Sequence, residues 1–190
     1  MIGQTNNKNL IDKWKRDNSF PPLIIVTGDR GSGKSTLAKY IASKGVSGYI
    51  VESGNKVDEV REVINNSYKC STPTTYIFHN VDKMSAQAKN ALLKVTEEPP
   101  RRAHFILTAI NENNVLPTLI SRGTQLGIEN YTKKELSNFT DDEQILSVAQ
   151  TPGQIKQLKE MDVNKFIKFC EKILDNIASV SGVNAFKIAH

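Results

Sequence analysis

The chain is poor in the residues that staple, ligate or span. Two cysteines occur in 190 residues, Cys70 and Cys170, and neither has a partner at ligand spacing. That excludes a disulfide framework and a cysteine-rich zinc cluster, and fits free, reduced thiols. The three histidines, His79, His104 and His190, are equally scattered. No apolar run approaches the ~20 residues needed to cross a bilayer. The opening segment, Met1 to Asn7, is polar and lacks the apolar core of a signal peptide. A cytoplasmic location with no membrane partner is the expectation. The net charge of +5 permits contact with nucleic acid without arguing for it alone. The length holds one substantial domain and a small appendage.

What is present is a complete phosphate-binding loop, Gly28-Asp29-Arg30-Gly31-Ser32-Gly33-Lys34-Ser35. It follows the apolar run Leu23 to Val26 and opens onto a helical pattern beginning at Thr36. That strand–loop–helix setting is what the motif requires. Backbone N–H groups of the loop and of the helix N-terminus converge on an anion. The glycines allow the tight wrap, Lys34 reaches the β- and γ-phosphates, and the Ser35 hydroxyl is the magnesium ligand.

Around the loop, strands and helices alternate. Strands are expected at Leu23–Val26, Tyr49–Glu52, Thr74–His79, His104–Ala109 and Thr124–Ile128, rich in β-branched and aromatic residues. Helical spacing covers Asn9–Trp14, Thr36–Ala42, Asp58–Ile64, the stretch from the Ser85 cap to Pro99-Pro100, and Leu116–Arg122. Such alternation implies an α/β fold, a five-stranded parallel sheet with helices on both faces. From Tyr131 the pattern is all helical, with helices expected at 133–138, 141–149, 153–160 and 163–179. A domain boundary near residue 130 follows.

Several segments resemble one family, the AAA+ subunits of bacterial clamp loaders. Ala86-Gln87-Ala88-Lys89-Asn90-Ala91-Leu92-Leu93-Lys94-Val95-Thr96-Glu97-Glu98-Pro99-Pro100 resembles their "AQNALLKTLEEPP" helix, and Leu116-Pro117-Thr118-Leu119-Ile120-Ser121-Arg122 their "LPTIxSR" segment. Val57 to Glu62 looks like their "IDxIRE" helix, Ile2-Gly3-Gln4 their adenine-side box, and Thr151-Pro152-Gly153-Gln154 the start of their lid helix. The likeness runs in order from residue 2 to about 160, and is greatest to the delta-prime type of DNA polymerase III. It implies an AAA+ core over 1–130, a shortened helical lid over 131–160, and the start of a helical collar over 161–190. Adenine over guanine as the base rests on this resemblance, giving ATP or ADP with Mg²⁺ as cofactors. The partners implied are other clamp-loader subunits in a hetero-oligomeric ring, a sliding clamp and primed DNA. The four-cysteine zinc module usual in the family is missing, so no zinc is expected. The last residues, Phe186 to His190, cut into a further apolar pattern. Both a truncated chain and a compact viral or plasmid-borne version stay open.

Carried over residue by residue, the catalytic parts are incomplete. Where active members have Asp-Glu at the end of the third strand, this chain has His79-Asn80. Imidazole is a poor ligand for a hard cation that prefers oxygen. Asn80 has no carboxylate to accept a proton, a loss that typically costs ~10²–10⁴ in rate. The first sensor position is Ile110, and the lid arginine is replaced by Gln154. Asp82 is the candidate replacement for the missing magnesium ligand. If it acts, an autonomous AAA+ ATPase working on DNA or protein becomes the alternative reading. Arg122 corresponds to the family's arginine finger, which enters a neighbour's ATP site and is worth ~10³–10⁵ in related NTPases. Its other reading is a helix-terminal arginine complementing the dipole. Lys83, Lys89 and Lys94 are the candidate DNA-phosphate contacts, with a solvated helix surface as their equally weighted alternative. A chain that holds nucleotide, turns it over slowly if at all, and lends Arg122 to a neighbour is the leading expectation.

Overall fold

The structure is a computed structural model and describes residues 1–45, 48–161 and 172–173. Its centre is a five-stranded, wholly parallel sheet in the order β2-β3-β4-β1-β5. The strands are β1 (Leu23–Thr27), β2 (Tyr49–Ser53), β3 (Thr74–Phe78), β4 (Ala103–Ala109) and β5 (Thr124–Gly127). The intervening helices are α1 (Thr5–Arg16), α2 (Lys34–Gly45), α3 (Val57–Lys69), α4 (Ala86–Glu97) and α5 (Pro117–Ile120).

The two-residue period of the strands sorts their side chains onto two faces. Leu23 and Ile25, Tyr76 and Phe78, and Phe105 and Leu107 point to one core, closed by Val60, Ile64, Leu92 and Leu119 of α3, α4 and α5. Ile24, Val26, Ile77 and Ile106 point to the other, where Ile11 and Trp14 of α1 and Leu37 and Ile41 of α2 cover them. The expected α/β architecture is therefore the one found. β3 is buried along its length, whereas edge strand β2 leaves Tyr49 and Ile50 exposed.

Helix α1 starts four residues before the expected point, at Thr5. The reason is tertiary. The Gln4 side chain pairs with both backbone groups of Glu129, and the Asn7 amide donates to the Gly127 carbonyl. Together they tie the chain start to the end of β5. Helix α4 starts where expected, its Ser85 hydroxyl accepting from the Ala88 N–H.

After β5 come three short helices, α6 (Lys133–Leu136), α7 (Glu143–Val148) and α8 (Pro152–Glu160). Leu136, Ile145, Ala149 and Ile155 form their small core. Each start is capped in a way the sequence spells out. Thr132 with Glu135 and Thr151 with Gln154 form capping boxes, and Asp142 accepts from Gln144 and Ile145. The helix expected at 163–179 lies outside the described residues, except Lys172 and Ile173, which are helical.

Candidate functional site

The phosphate loop leaves the C-terminal end of β1, and α2 begins at its Lys34. Because the sheet is parallel, His79 after β3 and Ile110 after β4 emerge at the same edge. Crevices at that edge are where open α/β sheets take ligands. Gly28, Gly31 and Gly33 all have positive φ, the left-handed region in which a Cβ is strained, so the wrap depends on glycine here. Lys34 is 8% exposed, and its ammonium donates to the carbonyls of Gly28 and Asp29 at 2.8 and 2.7 Å. Burial pushes its pKa below the ordinary lysine value, while the carboxylates of Asp82 and Asp29 pull it back up. An incoming phosphate would restore the charge balance that burial has disturbed.

Arg30, Lys34 and Lys83 face a polar cleft with Ser35, Thr36, Asn80 and Gln157. Three cations with two hydroxyl residues form an anion site. Gln157 was not singled out from the sequence. Lys83, read there as a DNA-phosphate contact or a solvated helix surface, lines this cleft. Gln157, not Gln154, is the α8 residue at the cleft. Gln154 instead closes its capping box, its amide oxygen accepting from the N–H groups of Gln150 and Thr151 at 2.7 and 3.2 Å. A polar side chain at the third position of a helix beginning Thr-Pro is the signal that reveals this.

At the position matched to the adenine-side box, Gln4 is 2% exposed; its amide oxygen accepts from the Glu129 N–H and the Asn7 amide, and its amide nitrogen donates to the Glu129 carbonyl. Ile2 beside it is half-buried. Tyr131 donates its hydroxyl to the Ser32 carbonyl at 2.9 Å, and burial raises its pKa.

The start of α8 rests directly on the loop. The Gly153 N–H donates to the Gly31 carbonyl at 2.9 Å, and the Thr151 hydroxyl to the Arg30 carbonyl at 3.4 Å. A Cβ on Gly153 would collide with the Gly31 Cα, just as one on Gly31 would lie 2.6 Å from the Gly153 Cα. Gly153→Ala is therefore expected to destabilise the chain by ~1–3 kcal/mol through overpacking. Thermal unfolding checks it, and an unchanged midpoint would mean that α8 moves off the loop freely.

His79, which the resemblance matches to a metal-side carboxylate, has specific partners. Its Nδ1 lies 3.3 Å from the Ser35 Oγ, and its Nε2 lies 2.9 Å from the Glu52 Oε2. The other Glu52 oxygen binds the Lys39 ammonium at 2.9 Å. Those hydrogen bonds, from Lys39 first and then His79, hold the Glu52 carboxyl below the usual carboxylate range. Glu52 and Lys39 were not singled out from the sequence. The pairing of β2 beside β3 brings Glu52 to His79, and Ser35 and Lys39 share one face of α2 four residues apart.

The donors around Ser35 are a poor match for magnesium. The side chain in hydrogen-bond contact with the Ser35 hydroxyl is a nitrogen ligand, whereas Mg²⁺ demands oxygen. Among the described residues no group of three or more His, Cys, Asp or Glu side chains is gathered for a metal. Asp82 turns one carboxylate oxygen to the Ile110 N–H at 3.4 Å, at the end of β4. Asn80 takes a left-handed backbone and donates its N–H to the Thr108 hydroxyl at 3.0 Å.

Arg122 is exposed just beyond α5, with its guanidinium on the Thr118 carbonyl at 3.0 Å and Glu97 at 3.5 Å. Lys89 donates to the Asp82 and Asn114 carbonyls, and Lys94 stands over the Tyr68 ring. No helix among the described residues is long and apolar enough to cross a membrane.

A family model described as "DNA polymerase III, delta subunit" matches residues 50–132. The chain is 28% identical over 145 residues to DNA polymerase III subunit gamma of Buchnera aphidicola, covering 60% of this chain and 40% of that protein. It is 25% identical over 179 residues to the tau subunit of Bacillus subtilis, covering 76% of this chain and 32% of the relative. The chain thus spans less than half the length of either. Among solved structures, RuvB of Thermotoga maritima superposes with a TM-score of 0.66 at 18% identity, over 90% of this chain and 64% of that one. The fold is that of the AAA+ P-loop NTPases, and the sequence matches support a clamp-loader-type AAA+ protein.

Proposed function

We propose that the chain is a delta-prime-like clamp-loader subunit in DNA replication that binds ATP or ADP, hydrolyses it poorly or not at all, and supplies Arg122 to a neighbouring subunit's nucleotide. One observation carries this reading. The phosphate cradle is intact, yet His79 and Asn80, neither of them a carboxylate, stand where an acid pair would drive hydrolysis. The segment from Tyr131 to Glu160 acts as the lid, and the partners are ring subunits, a sliding clamp and primed DNA.

Direct binding of labelled ATP and ADP to the purified chain, paired with single-turnover hydrolysis, tests it. Binding without appreciable turnover is expected. Lys34→Ala should weaken binding ~10–100-fold, since a hydrogen bond to a charged group contributes about 1.5–3 kcal/mol. Turnover abolished by both Lys34→Ala and Asp82→Ala would instead make this an autonomous ATPase with a rebuilt acid site. The position of Asp82 on the Ile110 N–H speaks against that outcome.

A further inference from the structure

We propose that the cation accompanying nucleotide in this site is a divalent transition metal of the manganese–cobalt–zinc class, held by His79 Nδ1 together with Ser35 Oγ and phosphate oxygens. The inference rests on the nucleotide-binding reading above. Its starting point is the hydrogen-bond chain Ser35–His79–Glu52–Lys39.

A carboxylate only accepts, so the Glu52 contact requires His79 Nε2 to carry a proton. In the neutral ring Nδ1 is then left with its lone pair, and that lone pair faces the Ser35 hydroxyl. A ring nitrogen freed by donating its other N–H to a carboxylate is the arrangement that metal-ligating histidines adopt. Lys39 on the second Glu52 oxygen keeps the carboxylate charged and oriented. The imidazole is mostly shielded, its side chain 21% exposed, so its orientation is set by the fold.

Geometry agrees. Two cis ligands on a six-coordinate ion with bonds of about 2.1 Å lie roughly 3 Å apart. The 3.3 Å between Oγ and Nδ1 needs only a small adjustment. Ser35 is the loop's own metal-ligating hydroxyl, so the imidazole enters the coordination sphere directly rather than a separate site. Borderline metals accept imidazole beside phosphate oxygen, and magnesium does not favour it.

The test uses the purified chain with ADP or ATP in EDTA, in Mg²⁺ and in Mn²⁺. Nucleotide should bind at least tenfold more tightly with Mn²⁺ than with Mg²⁺. Electron spin-echo spectra of the Mn²⁺–ADP complex should carry nitrogen modulation from one imidazole. His79→Asp should remove that modulation and bring the two affinities together. Glu52→Gln, which removes the carboxylate charge shared by the ring and Lys39, should weaken the Mn²⁺ complex about tenfold. Binding with equal affinity in both metals and no nitrogen modulation would overturn this inference alone. No nucleotide binding under any of the three conditions would overturn it together with the proposed function.

Discussion

With the proposed ring assembly reconstituted, Arg122→Ala is expected to lower ATP turnover by ~10³-fold or more, while this chain's own nucleotide affinity stays unchanged. The argument begins with how loosely the arginine is held. Its side chain is 39% exposed, and the 3.5 Å contact to Glu97 is a surface ion pair of the kind worth ~0–1 kcal/mol. The Thr118 carbonyl offers one further hydrogen bond. A neighbour's triphosphate would easily out-compete both. The guanidinium fork matches phosphoryl oxygens bidentately, and an ammonium does not, so Arg122→Lys should recover little. The measurement is steady-state ATPase of the assembly beside ATP binding by the isolated variant. Unchanged assembly turnover would leave Arg122 as a helix-terminal charge and remove the trans-acting role.

The second large effect is structural. Phe105→Ala is expected to destabilise the chain by ~3–5 kcal/mol, measured as a lowered denaturant midpoint. Phe105 is 1% exposed at the start of β4, with its backbone paired to Leu23 of β1 and Tyr76 of β3. Its ring stacks on Tyr76 at 5.5 Å between centroids, with 18° between planes. Neighbours fixed in two strands cannot collapse into the space an alanine leaves, so the cavity term is retained in full. Tyr49, 69% exposed on edge strand β2, is the control, and Tyr49→Ala should change stability by no more than ~0.5 kcal/mol. A small loss at Phe105 would mean the core repacks far more freely than close packing allows.

Much of this was legible along the chain because the signals are local. Strand positions follow from runs of apolar and β-branched side chains, and the start of α4 from Ser85 at its cap. The phosphate loop announces itself because its backbone needs glycine at Gly28, Gly31 and Gly33, whatever surrounds it. Other features had no local trace. The early start of α1 depends on Gln4 meeting Glu129, far away in sequence but adjacent once β5 lies beside β1. The place of Lys83 in the cleft had no local trace either, because its helical turn follows β3 and meets the loop only in the fold.

The sequence by itself determined the fold class and the anion-binding loop. Each is written in residue type and near-neighbour spacing, where sterics and hydrogen-bond chemistry act over one or two turns. The tertiary structure decided which residues share the site. It set β2 against β3 so that Glu52 fixes the His79 ring, and laid the start of α8 on the loop so that Gly153 meets Gly31. It also turned Gln154 into its capping box while Gln157 faces the cleft. Those outcomes depend on strand order and packing between elements distant in sequence, which no local pattern encodes.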